Sequence, residues 1–393
     1  MLSRKIQLIN PSLTLAITQK AAEMRAQGLD IISLAAGEPD FTTPLHVKEA
    51  AHLAIDRNIT YYTPVDGLPA LKDAICLKLA RDQKIEYSNQ EVIACNGAKQ
   101  AIFNLCYSLL DPEDEVIFSS PYWVSYPDIV VACSGTPVIV PTGPEERFLL
   151  TARLLEKAIT AKTKLVILNS PANPSGQIYT KEELSALADV LIHHPNIFIC
   201  TDDIYESILW GRPFINILNV APELKPRTII INGLSKSHAM TGWRLGYAAG
   251  DKTIIKAMKT IQSQTTSNPC SISQAAAIAA LSQPCPELLF MQQEYQKRHD
   301  LLILQLKNNP YFEAIPAEGS FYLWINVNKA ISHLQLANDM ELATYLLQKA
   351  HVAVIPGTGF GTPGYIRISF TTDSTTLATA MQRINQALSI PSF

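Results

Sequence analysis

Lys236 and Arg244 stand close together in Ile231-Asn232-Gly233-Leu234-Ser235-Lys236-Ser237-His238-Ala239-Met240-Thr241-Gly242-Trp243-Arg244-Leu245-Gly246-Tyr247, after an apolar run from Thr228 to Ile231. A lysine at the mouth of a buried strand is desolvated, and desolvation favours the neutral, nucleophilic amine. Such an amine condenses with an aldehyde to form a Schiff base. Arg244 offers a planar fork of donors that suits a phosphate. On its own a Ser-Lys pair reads as a surface loop; a neutral lysine beside a phosphate-binding arginine would suit a carbonyl ligand with a phosphate tail.

Other groups of this kind follow other apolar runs. Asp202 and Tyr205, in Thr201-Asp202-Asp203-Ile204-Tyr205, come after Ile197–Cys200. A carboxylate there can keep a ring nitrogen protonated, and a phenol three residues on can donate to a ring oxygen. By themselves the two acidic residues read as a helix cap. Trp123, in Ser119-Ser120-Pro121-Tyr122-Trp123, can lie on a flat ring, which adds about 0.5–1.5 kcal/mol beyond area burial; a lone Trp otherwise belongs in a core. Asn173, in Asn173-Pro174-Ser175-Gly176, reads alone as part of a turn. Asn96-Gly97-Ala98-Lys99-Gln100 opens a helical pattern, Gln100–Leu110, whose free N–H groups and dipole favour an anion. Gly97 lets that backbone approach closely. Arg367 sits in the alternating run Tyr365-Ile366-Arg367-Ile368-Ser369, where an inward side chain needs a bidentate anion; an edge-strand salt bridge is the competing reading.

These residues must be positioned by alternating strands and helices. Apolar runs at Glu115–Phe118, Pro137–Val140, Lys164–Leu168, Ile197–Cys200 and Thr228–Ile231 are separated by helical patterns such as Thr180–His193. That order implies a mainly parallel sheet covered on both faces, with ligands beyond the carboxyl ends of its strands. After Met291 the pattern changes to a helix at Glu294–Lys307, a strand at Phe321–Val327, a helix at Asp339–Ala350 and a strand at Tyr365–Phe370, consistent with a smaller α+β domain. The 393 residues are comfortable for two domains, and a hydrophobic content of 47% supports a large core. A net charge of −3 gives no electrostatic footprint for nucleic acid. No apolar run reaches the roughly 18 residues of a membrane-spanning helix. The seven cysteines form no CxxC pattern and fall mostly in apolar runs, so buried free thiols in a reducing cytoplasm are expected.

The lysine string, Leu34-Ala35-Ala36-Gly37-Glu38-Pro39-Asp40-Phe41, Asn173-Pro174-Ser175-Gly176, Asp202-Asp203-Ile204-Tyr205 and Pro356-Gly357-Thr358-Gly359-Phe360-Gly361 together resemble class I aminotransferases of fold type I. The resemblance runs from Ile31 to Ser369 and is nearest to prokaryotic aspartate aminotransferases. It implies an α/β fold, with a large domain at 46–290 built on a mainly parallel seven-stranded sheet and a smaller α+β domain from 1–45 and 291–393. It implies pyridoxal 5'-phosphate as cofactor. Lys236 would form the Schiff base and carry the proton, Asp202 would face the ring nitrogen, Tyr205 and Asn173 the phenolate oxygen, and Trp123 the ring face. Gly97, Ala98, Lys99, Ser235 and Arg244 would hold the phosphate, joined by Tyr62 from the second subunit of a homodimer. Arg367, Asn173, Gly37 and Trp123 would hold a small amino acid or 2-oxo acid. Lys99, helped by Ser12 and Thr14, would take a side-chain carboxylate. The implied reaction is ping-pong transfer of an amino group, most simply from aspartate to 2-oxoglutarate; broader, alanine or aromatic specificity and a lyase of the same fold stay open. Departures from the pattern are Asp203 in place of Glu, Ser207 in place of His, Ser237-His238 in place of a small-aromatic pair, and Glu113 in place of a turn Gly.

Overall fold

The computed structural model describes residues 2–11, 13–307 and 309–389. Seven strands form the main sheet in the order Val92–Cys95, Gly246–Ala249, Thr228–Gly233, Phe198–Asp202, Thr163–Asn169, Glu115–Ser120, Thr136–Pro141. Gly246–Ala249 runs antiparallel to both neighbours, and the remaining pairs are parallel. The central strands read as unbroken apolar runs because both of their faces are covered. Along them alternate residues enter opposite cores. Val166, Ile199 and Ile230 meet the helices Pro69–Lys78, Lys181–Ile192 and Ser271–Leu281. Leu165, Cys200 and Ile229 meet Ala98–Leu109, Tyr126–Ala132 and Lys252–Thr265.

The five strands expected in this sheet are present; four are extended by one or two residues, while the one expected at Ile197–Cys200 runs over Phe198–Asp202. The sheet's register sets the site. Asn169 pairs with Asp202, and Gly246 lies between Cys95 and Gly233. The carboxyl ends of the parallel strands therefore open on one edge, where the loops bearing Trp123, Asn173, Tyr205 and Lys236 begin.

A second, antiparallel sheet joins Ile355–Pro356, Tyr365–Ser369, Tyr322–Asn326 and Glu313–Ala314 in that order. Its core is shared with the helices Pro286–Leu306 and Ser374–Ser389 through residues such as Tyr295, Leu302, Phe321 and Ile384. Ile32–Ser33 pairs with Val352–Ala353 and ties the amino-terminal segment to this half. Four expectations shift here. The strands expected at Phe321–Val327 and Tyr365–Phe370 run over Tyr322–Asn326 and Tyr365–Ser369. The helix expected at Glu294–Lys307 begins at Pro286, whose fixed φ suits a first turn. The helix expected at Asp339–Ala350 is α-helical over Asp339–Tyr345 and finishes as a π-turn over Leu346–Ala350.

Glu113 takes a left-handed φ of 77° in glycine's usual place, and its carboxylate accepts from Lys162 Nζ at 2.8 Å. All seven cysteines are free. Among the described residues no helix is long and apolar enough to cross a membrane.

Candidate active site

A cavity of about 420 Å³ opens beyond the strand ends. Of the residues singled out from the sequence, Gly37, Ala98, Lys99, Trp123, Asn173, Asp202, Tyr205, Ser235, Lys236, Arg244 and Arg367 all line it. Thr14 lines it too, whereas Ser12 is outside the described residues. Tyr62 does not reach this cavity; it is 91% exposed on the surface of the chain.

Lys236 follows the strand Thr228–Gly233, and its Nζ donates to Gly37 O at 2.5 Å. Burial, helped by the positive charges of Arg367 and Arg244, brings its pKa down to about 8. Gly37 leaves room for Tyr322: a Cβ there would stand 2.8 Å from Tyr322 Oη, so a larger residue would have to displace that ring. Asp202 ends the neighbouring strand and accepts from Tyr126 Oη at 2.6 Å through Oδ2. Its other oxygen, Oδ1, is buried without a hydrogen-bond partner. Burial raises its pKa to about 6 against the lowering effect of the Tyr126 hydrogen bond. A carboxylate left half-satisfied in this way costs stability unless a cationic donor arrives.

The anion side of the cavity is built from backbone and one arginine. The helix Ala98–Leu109 starts at Gly97, with φ 85° and no side-chain cap, so its first N–H groups are open. A Cβ on Gly97 would lie 2.6 Å from an Arg244 terminal nitrogen, so glycine alone lets the guanidinium lie against this turn. Arg244 itself has φ 52° and donates to Thr241 O at 2.8 Å. Opposite, Arg367 is buried, donates to Asn173 Oδ1 at 3.1 Å and Ala35 O at 2.9 Å, and keeps its Nε unpartnered. The Tyr322 ring lies 4.1 Å below its guanidinium.

The chain matches the family model for aminotransferase class I and II over residues 29–384. It belongs to that family. An aspartate/prephenate aminotransferase of Nitrosomonas europaea is 48% identical to it over 99% of this chain and 100% of the relative. An aspartate aminotransferase of Geobacillus stearothermophilus is 47% identical over 98% of each chain. Among solved structures, the aspartate aminotransferase of Rhizobium meliloti superimposes with a TM-score of 0.94 at 42% identity, covering 99% of this chain and 98% of the other. That of Thermus thermophilus with maleate gives 0.93 at 40% identity, covering 98% and 99%.

Members of this family use pyridoxal phosphate, and the cavity's donor set fits it. A buried, partly neutral amine, an orphaned carboxylate oxygen and an arginine beside open helix N–H groups match its aldehyde, ring nitrogen and phosphate in turn. Asp203, next to Asp202, turns the other way into a buried polar knot: Asn216 Nδ2 donates to it at 2.8 Å and Gln83 Nε2 at 3.3 Å. His238 does not line the cavity, and burial brings its pKa down to about 4.

Sequence reasoning missed Tyr126 and Tyr322. Among the described residues Tyr126 is the sole side chain that donates to Asp202, and Tyr322 meets Tyr205 Oη at 3.1 Å while carrying Arg367 on its face. Tyr126 had no clear signal: it opens the helix Tyr126–Ala132, and its partner Asp202 lies 76 residues away. Tyr322 had none, because nothing local distinguishes it from the aromatic core around it.

Proposed function

We propose that this chain transfers the amino group of aspartate to a 2-oxo acid such as 2-oxoglutarate, with pyridoxal phosphate as resident cofactor. The observation that carries the reading is the shared cavity of the Lys236 amine, the unpartnered Asp202 Oδ1 and the Arg367 fork. When bound, pyridoxal phosphate supplies an electron-withdrawing ring that stabilises negative charge at a substrate's α-carbon. Arg244, Ser235 and the N–H groups of Ala98 and Lys99 would hold its phosphate, while the Gly97 N–H donates to Cys95 O at 2.7 Å. Asp202 holds its ring nitrogen protonated, and Tyr126 keeps that carboxylate aimed. Tyr205 and Asn173 serve its phenolate oxygen, and Trp123 covers its face.

Arg367 takes the donor's α-carboxylate with its two-pronged geometry. Lys236 Nζ, once freed, takes the proton from the donor's α-carbon and later delivers one to the acceptor's α-carbon. Its lowered pKa supports both directions near neutral pH. Lys99, with Thr14 and Thr18 across the cavity, is assigned to the side-chain carboxylate. The Thermus thermophilus enzyme was solved with maleate, a dicarboxylate, which supports that assignment. The aspartate/prephenate aminotransferase of Nitrosomonas europaea supports prephenate as a second acceptor.

We also assign a large unit to 46–290, a small one to 1–45 and 291–393, and a cytoplasmic homodimer in which Tyr62 reaches the partner's phosphate site. Its 91% exposure supports that role. Mixing purified protein with aspartate and 2-oxoglutarate is expected to yield oxaloacetate with parallel-line, ping-pong kinetics. Aspartate consumed without any need for a 2-oxo acid would instead make the protein a lyase.

A further inference from the structure

Outside the cavity, His46, Cys285 and Glu287 bring their ligand atoms within 4.8 Å of one another. Cys285 Sγ donates to Glu287 Oε2 at 3.1 Å. One buried ring nitrogen of the group, His46 Nε2, has no hydrogen-bond partner among the described residues. Buried polar atoms are normally satisfied, so such a vacancy asks for a partner. His238 stands in the same neighbourhood: it is 5% exposed, its Nδ1 is engaged by Ser237 Oγ at 2.8 Å, and its ring also meets the Ala280 backbone. An imidazole, a thiol and a carboxylate are a donor set for a borderline-soft divalent cation, not for calcium or magnesium.

We propose that His46, Cys285 and Glu287 form a binding site for one zinc-class divalent cation per chain, with a fourth position open beside His238. On binding, the thiol proton leaves to solvent as the sulfur–metal bond forms, and no oxidation state changes. A tetrahedral site needs ligand atoms about 3.5 Å apart. Cys285 Sγ and Glu287 Oε2 already stand 3.1 Å apart, so the remaining gap of up to 4.8 Å lies on the His46 side, and the imidazole has to draw in when a cation binds.

The location gives the site a consequence. His46 opens the helix Leu45–Asp56, which packs on Ser271–Leu281 over the main sheet. Cys285 and Glu287 open the helix Pro286–Leu306, which packs on Ser374–Ser389 in the other half. A cation here fastens together both places where the chain passes between the two halves. His238 links that fastening to the loop of Lys236. Neither the donor set nor its geometry depends on the amino-transfer reading.

The test uses holoenzyme freed of unbound cofactor, with Co²⁺ as probe. Tetrahedral cobalt–thiolate bands are expected at wavelengths beyond the cofactor's absorption, saturating at one equivalent and abolished by Zn²⁺. Cys285→Ser and His46→Gln should each weaken binding at least about 100-fold, more than the loss of a supporting residue costs. Cys270→Ser, at the exposed thiol, should change nothing. In unmodified protein, anomalous scattering from cobalt-soaked crystals should peak between the three ligands, a measurement that no folding defect can affect. Absence of a saturable cobalt spectrum, its survival in Cys285→Ser, its loss in Cys270→Ser, or an anomalous peak elsewhere overturns the site.

Discussion

Asp202 is expensive to its own fold. Burial lifts its pKa from 3.8 to about 6, so the folded chain holds a proton more tightly than the unfolded one between those values. Stability therefore falls as pH rises through that window, and the penalty is complete above pH 6. Asp202→Asn should raise the urea-unfolding stability of cofactor-free protein at pH 7 by about 2 kcal/mol, the gain vanishing below pH 4. The same change should cost roughly a hundred- to a thousandfold or more in kcat, because it removes charge where the reaction needs it. A variant both less stable and fully active would make Asp202 an ordinary helix cap. Lys99 presents the complementary case. Burial lowers its pKa, Arg244 adds repulsion, and its Nζ lies 5.0 Å from the Trp123 ring centroid. A cation at a helix start, where the dipole disfavours it, fits an anionic ligand. Lys99→Ala should therefore depress kcat/KM for aspartate and glutamate while sparing alanine and aromatic donors. An equal loss for all donors would reassign Lys99 to the cofactor's phosphate.

At the scale of elements, the site depends on how closely a helix start meets a strand. Gly246 pairs with Cys95 and Gly233, and a Cβ on it would fall on Ala98 N and Gly97 C. The glycine in Arg244-Leu245-Gly246-Tyr247 is thus a spacer that lets the phosphate turn sit against the sheet. Gly246→Ala must push the turn outward, which costs about 1–3 kcal/mol in stability as overpacking does. Its sharper effect should be on cofactor retention, at least about tenfold, since a 1.4 kcal/mol loss of anion contacts is enough. Equilibrium dialysis against pyridoxal phosphate measures it directly; unchanged retention would show that the turn is not the phosphate site.

The whole molecule raises the question of what completes the cavity. Tyr61 and Tyr62 are 81% and 91% exposed, side by side. In a dimer with shared sites, Lys236→Ala and Tyr62→Ala chains are each impaired alone. A hybrid of the two should contain one intact site, with lysine from one chain and tyrosine from the other. Refolding the variants together should accordingly restore turnover that neither shows alone. No recovery in hybrids of proven composition would confine the active site to one chain.

The family and the sheet were legible along the chain, because each depends on short-range pattern, and the candidate site residues were named through their resemblance to the family's motifs. Strands buried on both faces are continuous apolar runs, and the groups that follow them carry recognisable types and spacings. Lys236, Asp202, Asn173 and Arg367 follow such strands or lie in one, and the structure brings all four to one cavity. What the sequence left open were the contacts between residues far apart along it. Tyr126 serves Asp202 across a separation of 76 residues, and Arg367 reaches Asn173 across 194. Gly37 faces Lys236 across 199, and only the packed structure shows that its carbonyl holds the amine. His46, Cys285 and Glu287 follow the same rule. Alone each is an unremarkable polar residue at a helix start; only the fold brings their ligand atoms within 4.8 Å of one another. Local pattern determines which chemistry the chain carries, and tertiary packing decides which groups are desolvated, paired or left unsatisfied, since those depend on neighbours that the sequence keeps apart.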